Sequence, residues 1–176
     1  ADGKPVEHNV YSPYAWPYHS FAVHPSRTLL AILDTENRVS LWRVPEMTLV
    51  RQWTPHEARI LEMGFSQDGS LMTTTAWDGW AKVWDVATGA EVRAFAPEFD
   101  EACYTAAITP DNSTIALGYG ERSTVDRAQS ITPFYDLRTG ELKQRVDLEG
   151  HRVNKLAYSR DGGLLFVGVW GLNGSG

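Results

Sequence analysis

The residues of this chain that could carry acid–base or metal chemistry are His56, Asp78, Cys103 and His151, and their spacing builds no common catalytic device. His56-Glu57 begins like the helical zinc pattern H-E-x-x-H, but Ile60 stands where the second histidine must be. A His–Asp pair such as His56 and Asp78 could relay a proton. Acyl transfer also needs a nucleophile held beside the pair, and the spacing places none. Gly118-Tyr119-Gly120 lacks the rest of a dinucleotide loop, and no G-x-x-x-x-G-K-[ST] phosphate loop occurs. The single cysteine, Cys103, excludes an internal disulfide or a Cys-rich metal site and reads as a small apolar residue in a strand. The chain is therefore expected to have no catalytic residues, no metal and no cofactor.

The elements that must position these residues repeat. Tight turns recur at Pro25-Ser26-Arg27, Gln67-Asp68-Gly69, Pro110-Asp111-Asn112 and Arg160-Asp161-Gly162, at intervals of 42, 43 and 50 residues. Asp-Gly and Asp-Asn at such turns are explained by left-handed backbone, without calcium. An apolar run precedes each turn (Phe21-Ala22-Val23, Met63-Gly64-Phe65, Ala106-Ala107-Ile108, Leu156-Ala157-Tyr158), and another follows it. Short β-rich runs around such turns are antiparallel hairpins. A third run ends in an aromatic and a polar residue, at Trp42-Arg43, Trp84-Asp85 and Tyr135-Asp136. The distance from turn to aromatic is 16 residues in the first two units and 24 in the third, which places an eight-residue insertion between the third unit's second and third strands. A fourth run follows each aromatic, so the expected unit has four strands and a period near 42.

Val83-Trp84-Asp85-Val86, Gly150-His151 and Ser66-Gln67-Asp68-Gly69 resemble the signature of the WD-repeat β-propeller family. The pattern covers nearly the whole chain in register, with Trp42-Arg43 and Tyr135-Asp136 as departures. The resemblance implies an all-β fold of propeller blades, each a four-stranded antiparallel sheet, with the ring incomplete in this chain. Residues 1–14 are expected to supply an outer strand, Val6 to Tyr11, of a shared or closing blade. Blades are expected over 15–55, 56–97 and 98–149, followed by two strands of a further blade and a flexible tail over 150–176. The ring would then be completed by remaining blades or by a second copy, possible as an eight-bladed pair, because open sheet edges recruit other strands.

The resemblance also places His56, Asp78 and Trp84 in a structural hydrogen-bond network beneath a loop, with Ala76 standing where the family usually has a hydroxyl residue. His151 takes the histidine position in the last unit. Trp42, Trp84 and Tyr135, on third strands, are expected to be structural.

Candidates for contact with a partner are the aromatics of the loop between second and third strands: Trp77, its expected counterpart Tyr119, and Trp170. The polar insertion Glu121 to Gln129 belongs to the same face and brings Arg122 and Arg127, while Arg59 and Arg152 extend the patch. The net charge of −6, without blocks of like charge, argues against a nucleic-acid partner. No apolar run reaches the ~20 residues of a membrane-spanning helix. The expected function is a non-catalytic scaffold that presents a loop face to a peptide or protein, in the cytoplasm. Two alternatives are a designed or split fragment whose role is ring assembly, and an accessory module of a larger enzyme.

Overall fold

A computed structural model describes residues 21–97, 101–121, 131–148 and 151–171. Every regular element among them is a β-strand, and no helix occurs in the described residues. Strands β1 (Phe21–Val23), β2 (Leu29–Leu33), β3 (Val39–Arg43) and β4 (Thr48–Trp53) form the first antiparallel sheet in that order. The second holds β5 (Ile60–Phe65), β6 (Leu71–Ala76), β7 (Ala81–Asp85) and β8 (Glu91–Phe95). The third holds β9 (Glu101–Ile108), β10 (Thr114–Glu121), β11 (Ile131–Asp136) and β12 (Leu142–Asp147). Two strands, β13 (His151–Tyr158) and β14 (Leu165–Gly171), form the last sheet. The sheets are blades of an incomplete propeller. The expected strand Val6 to Tyr11 lies outside the described residues.

The local chemistry that makes these hairpins repeats with the sequence. Arg27, Gly69, Asn112 and Gly162 occupy corresponding positions in the four turns, and all have positive φ, between 56° and 79°. That is the left-handed conformation the turn demands. Each blade with a third strand carries a bulge beside its aromatic, between Leu41 and Trp42, Val83 and Trp84, and Phe134 and Tyr135. The extra residues, Val50, Val92 and Lys143, face water or carry a charge. A bulge steepens the local twist, as the outer strand of a blade requires.

Apolar alternation then packs blade on blade. Ala31, Leu33, Val39 and Leu41 of the first blade meet Ile60, Met63, Met72 and Trp84 of the second. Ala81, Val83 and Phe95 of the second meet Cys103, Ile108, Ile115 and Tyr135 of the third. Ala107 and Ala116 of the third meet Val153 and Leu156 of the last. Cys103 is fully buried, and burial pushes its thiol pKa up, so it stays protonated. Glu62 joins three blades: it accepts from the Ala106 amide at 3.2 Å and pairs with Lys155 of β13.

Candidate functional site

Blade 2 carries the polar network. Its centre is Thr74, fully buried on β6. The Trp84 indole nitrogen donates to Thr74 Oγ1 at 3.0 Å, and His56 Nε2 lies 2.9 Å from the same oxygen. His56 Nδ1 faces Asp78 Oδ2 at 3.6 Å, beyond hydrogen-bond reach. The expectation that Ala76 leaves the network without a hydroxyl is corrected here. Positions 74 and 76 share one face of β6, and the indole reaches diagonally across the sheet to the nearer one. Burial lowers the pKa of His56, against the opposing pull of the Asp78 charge, so the ring is held neutral. The arrangement pairs the Trp84 N–H with the Thr74 hydroxyl, and that hydroxyl, the group His56 Nε2 meets, is fully buried and already accepts from the indole.

The turn between β6 and β7 carries Trp77, whose amide donates to the Arg59 carbonyl at 2.8 Å. Its ring is 38% exposed and meets Tyr104 edge-on, with centroids 6.2 Å apart. Tyr104 is the extra residue of a bulge in β9, which aims its ring out of the ladder. The Arg152 guanidinium of β13 lies over the other part of this surface, 5.0 Å from the Tyr104 centroid. Gly120 makes room for it, because a Cβ there would come within 2.6 Å of Arg152 Cγ. Trp77, Tyr104 and Arg152 thus form a continuous run across three blades, with the exposed Arg59 beside Trp77.

A family model described as WD domain, G-beta repeat matches residues 47–85, which hold this turn, Thr74 and Trp84. Pre-mRNA-processing factor 19 of Oryza sativa subsp. japonica is 28% identical over 153 residues, covering 86% of this chain and 28% of that protein. Human pre-mRNA-processing factor 17 is 23% identical over 155 residues, covering 82% of this chain and 25% of its own. Mouse guanine nucleotide-exchange factor SEC12 is 39% identical over 57 residues, covering 32% of this chain and 13% of its own. Residues 47–85 thus match the WD-repeat family, and the longer alignments extend a similarity to these proteins over most of the chain. The chain spans 13% to 28% of the lengths of these relatives.

Other expected site residues are placed differently. Tyr119 is not a counterpart of Trp77 at the surface; it lies inside β10 and is 4% exposed, packed between blades. The true counterpart is Gly120, one residue on, and in a strand a shift of one residue turns a side chain to the other face. Trp170 lies in β14, paired with Arg152, and not in a loop; only its backbone is among the described atoms. The same holds for His151, which pairs with Gly171. Arg122 and Arg127 lie outside the described residues. Tyr135 is buried as a structural aromatic, whereas Trp42 is half-buried and donates to Ser40 Oγ at 2.9 Å. Sequence reasoning missed Tyr104, which only a bulge brings outward, and Trp80, which sits three residues past Trp77 and is 37% exposed.

Proposed function

We propose that this chain is a non-catalytic protein-interaction scaffold whose partner binds across the Trp77–Tyr104–Arg152 run. The observation that carries the reading is the run itself: aromatic and guanidinium groups from three blades meet along one surface, Trp77 edge-on to Tyr104 and Arg152 over the Tyr104 ring. Such groups supply large contact area at low entropy cost and dominate binding hot spots. A protein-binding role is the general one of WD-repeat proteins, and no group of three or more His, Cys, Asp or Glu able to hold a metal occurs among the described residues. The partner is a peptide or protein, and the net charge of −6 makes nucleic acid a poor alternative. The test is a peptide-library selection on the immobilised chain. Selected peptides should bind Trp77→Ala at least about 30-fold more weakly, with the melting temperature unchanged. Equal affinity for both proteins would overturn the reading.

A second reading, assembly into a larger ring, is favoured by the outermost sheets. Phe21 and Val23 are 69% and 54% exposed, although they correspond to Met63 and Phe65, which pack against a neighbouring blade. Phe166, 60% exposed, corresponds to fully buried Ala116. These are two halves of a blade–blade interface, to be filled by further blades or by a second copy. Sedimentation of the chain at micromolar concentration tests it, and a non-associating monomer counts against it.

A further inference from the structure

Neighbouring blades meet in the turns between their first and second strands, and the contact recurs at each joint among the described residues. Gly69 of blade 2 lies against the His24 ring of blade 1, where a Cβ would come within 2.1 Å of Nε2. His24 Nε2 donates to the Gly69 carbonyl at 2.9 Å. Asn112 of blade 3 reaches back to blade 2 and donates to Asp68 Oδ2 at 2.9 Å. Gly162 of the last sheet lies against Pro110 of blade 3. Gly69, Asn112 and Gly162 are the left-handed residues of their turns, so that position is the one that meets the preceding blade. Arg27 holds it in blade 1, at φ 60°, and its side chain is exposed and unpaired among the described residues.

The last sheet carries a matching acceptor. Ser159-Arg160-Asp161-Gly162 corresponds position by position to Ser66-Gln67-Asp68-Gly69. In blade 2, Asp68 Oδ1 accepts from the Ser66 hydroxyl at 2.6 Å and the Ser70 amide at 3.0 Å, and Oδ2 takes Asn112 of the next blade. In the last sheet, Asp161 Oδ1 accepts from the Ser159 hydroxyl at 2.6 Å and the Gly163 amide at 3.0 Å. Its Oδ2 has no partner among the described residues. Those two bonds hold the Asp161 carboxyl below the ordinary carboxylate range, so it is charged at neutral pH. Ser159, small like Ser66, admits a side chain beside it where the His24 ring admits only glycine.

The flanking faces agree. Phe21 and Val23 of blade 1 correspond to Met63 and Phe65, which pack against a preceding blade. Leu164 and Phe166 of the last sheet correspond to Leu29 and Ala31, which pack against a following one. All four are more than half exposed.

We infer that a second copy of this chain covers both faces, docked with Arg27 of one copy on Asp161 of the other. The inference rests on the ring-assembly reading and names the partner. A second copy offers a fixed carboxylate oxygen where Arg27 needs an acceptor, and apolar surface where Phe21 and Val23 need cover. Arg160, the like charge in that turn, is exposed and untethered among the described residues. Made twice, the head-to-tail contact closes two copies on each other.

The experiment compares the whole chain with Arg27→Asp by sedimentation, from micromolar to millimolar concentration. The unaltered chain should associate. Arg27→Asp should weaken association about tenfold or more, since it sets two carboxylates face to face at each joint, with the melting temperature of the isolated copy unchanged. Separate Arg27→Cys and Asp161→Cys chains, mixed under mild oxidation, should give a cross-linked pair that neither forms alone. Cys103 is fully buried and does not compete. Association indifferent to Arg27→Asp, or no cross-link in the mixture, would overturn this contact and leave ring assembly standing. An unaltered chain that stays monomeric throughout would overturn both.

Discussion

Blades 1 and 2 share a register of 42 residues and the same strand plan, yet they solve the same positions differently. Trp84 is 8% exposed and donates across its sheet to Thr74. Trp42, its counterpart, is half-buried, and Ile32 stands where Thr74 would be, so its indole turns to Ser40 on its own strand. Where blade 2 has Gly69, Gly79 and Gly89, all at positive φ, blade 1 has Arg27, Asn37 and Met47 at φ of 60°, 62° and 51°. Asn37 repays its conformation by bonding to the Ala58 carbonyl at 2.7 Å and the Ile60 amide at 2.8 Å, which ties blade 1 to blade 2. Arg27 and Met47 make no comparable side-chain hydrogen bond among the described residues. The difference teaches that a blade's stability resides largely in its neighbours: among the described residues, blade 2 packs against blades on both sides and blade 1 against one.

The largest effect should come from truncating the two tryptophans. Trp84→Ala should destabilise the chain by about 3–5 kcal/mol in urea denaturation, with loss of packing and of the Thr74 bond. Trp42→Ala should cost less than about half as much, because part of its ring already faces water. Equal losses would show that burial by the neighbouring blade is not what separates them. Next in size is the network itself. Thr74→Val keeps the shape but strands the Trp84 N–H and His56 Nε2, and should cost about 2–3 kcal/mol. Asp78→Ala, which removes a group 3.6 Å from His56, should cost nearer 1 kcal/mol. A reversed order would place the energetic weight on the His–Asp contact.

A smaller effect, of opposite sign, is expected at Met47. Met47→Gly should raise stability by about 1 kcal/mol, since left-handed backbone penalises a side chain there. No gain would mean that Met47 makes compensating contacts. The smallest difference is pH-dependent. The Asp68 pKa falls from an ordinary 3.8 to about 2: slight burial opposes the change, and bonds from Ser66, Ser70 and Asn112 outweigh it. Its contribution is therefore complete above 3.8 and is lost as pH falls through about 2. Blade 1 has Ser26 at the matching position, with a neutral bond to Thr28. Amide exchange at Ser70 should accelerate in that window while Thr28 shows no matching step from its own turn.

Much of this was legible along the chain. The turn residues, the hairpins, the third-strand aromatics and the blade type follow from local conformational demands and a period of 42, which any stretch of sequence displays by itself. The sites were harder. Ala76 and Thr74 point the same way, so spacing could not choose between them, and the reach of an indole did. Tyr119 was displaced by one position, and a strand's period of two converts that slip into burial instead of exposure. Tyr104 gave no signal, because a bulge is decided by how two strands pair.

By itself, then, the sequence determined the kind of unit and its register, since glycine and asparagine turns and alternating apolar runs act over a few residues. Only the tertiary structure decided which aromatics face water, which polar atoms meet, and that Trp77 meets Tyr104 of the next blade. Those outcomes depend on distances between residues some 20 to 90 positions apart, such as Glu62 and Lys155, and packing of one blade on the next sets such distances.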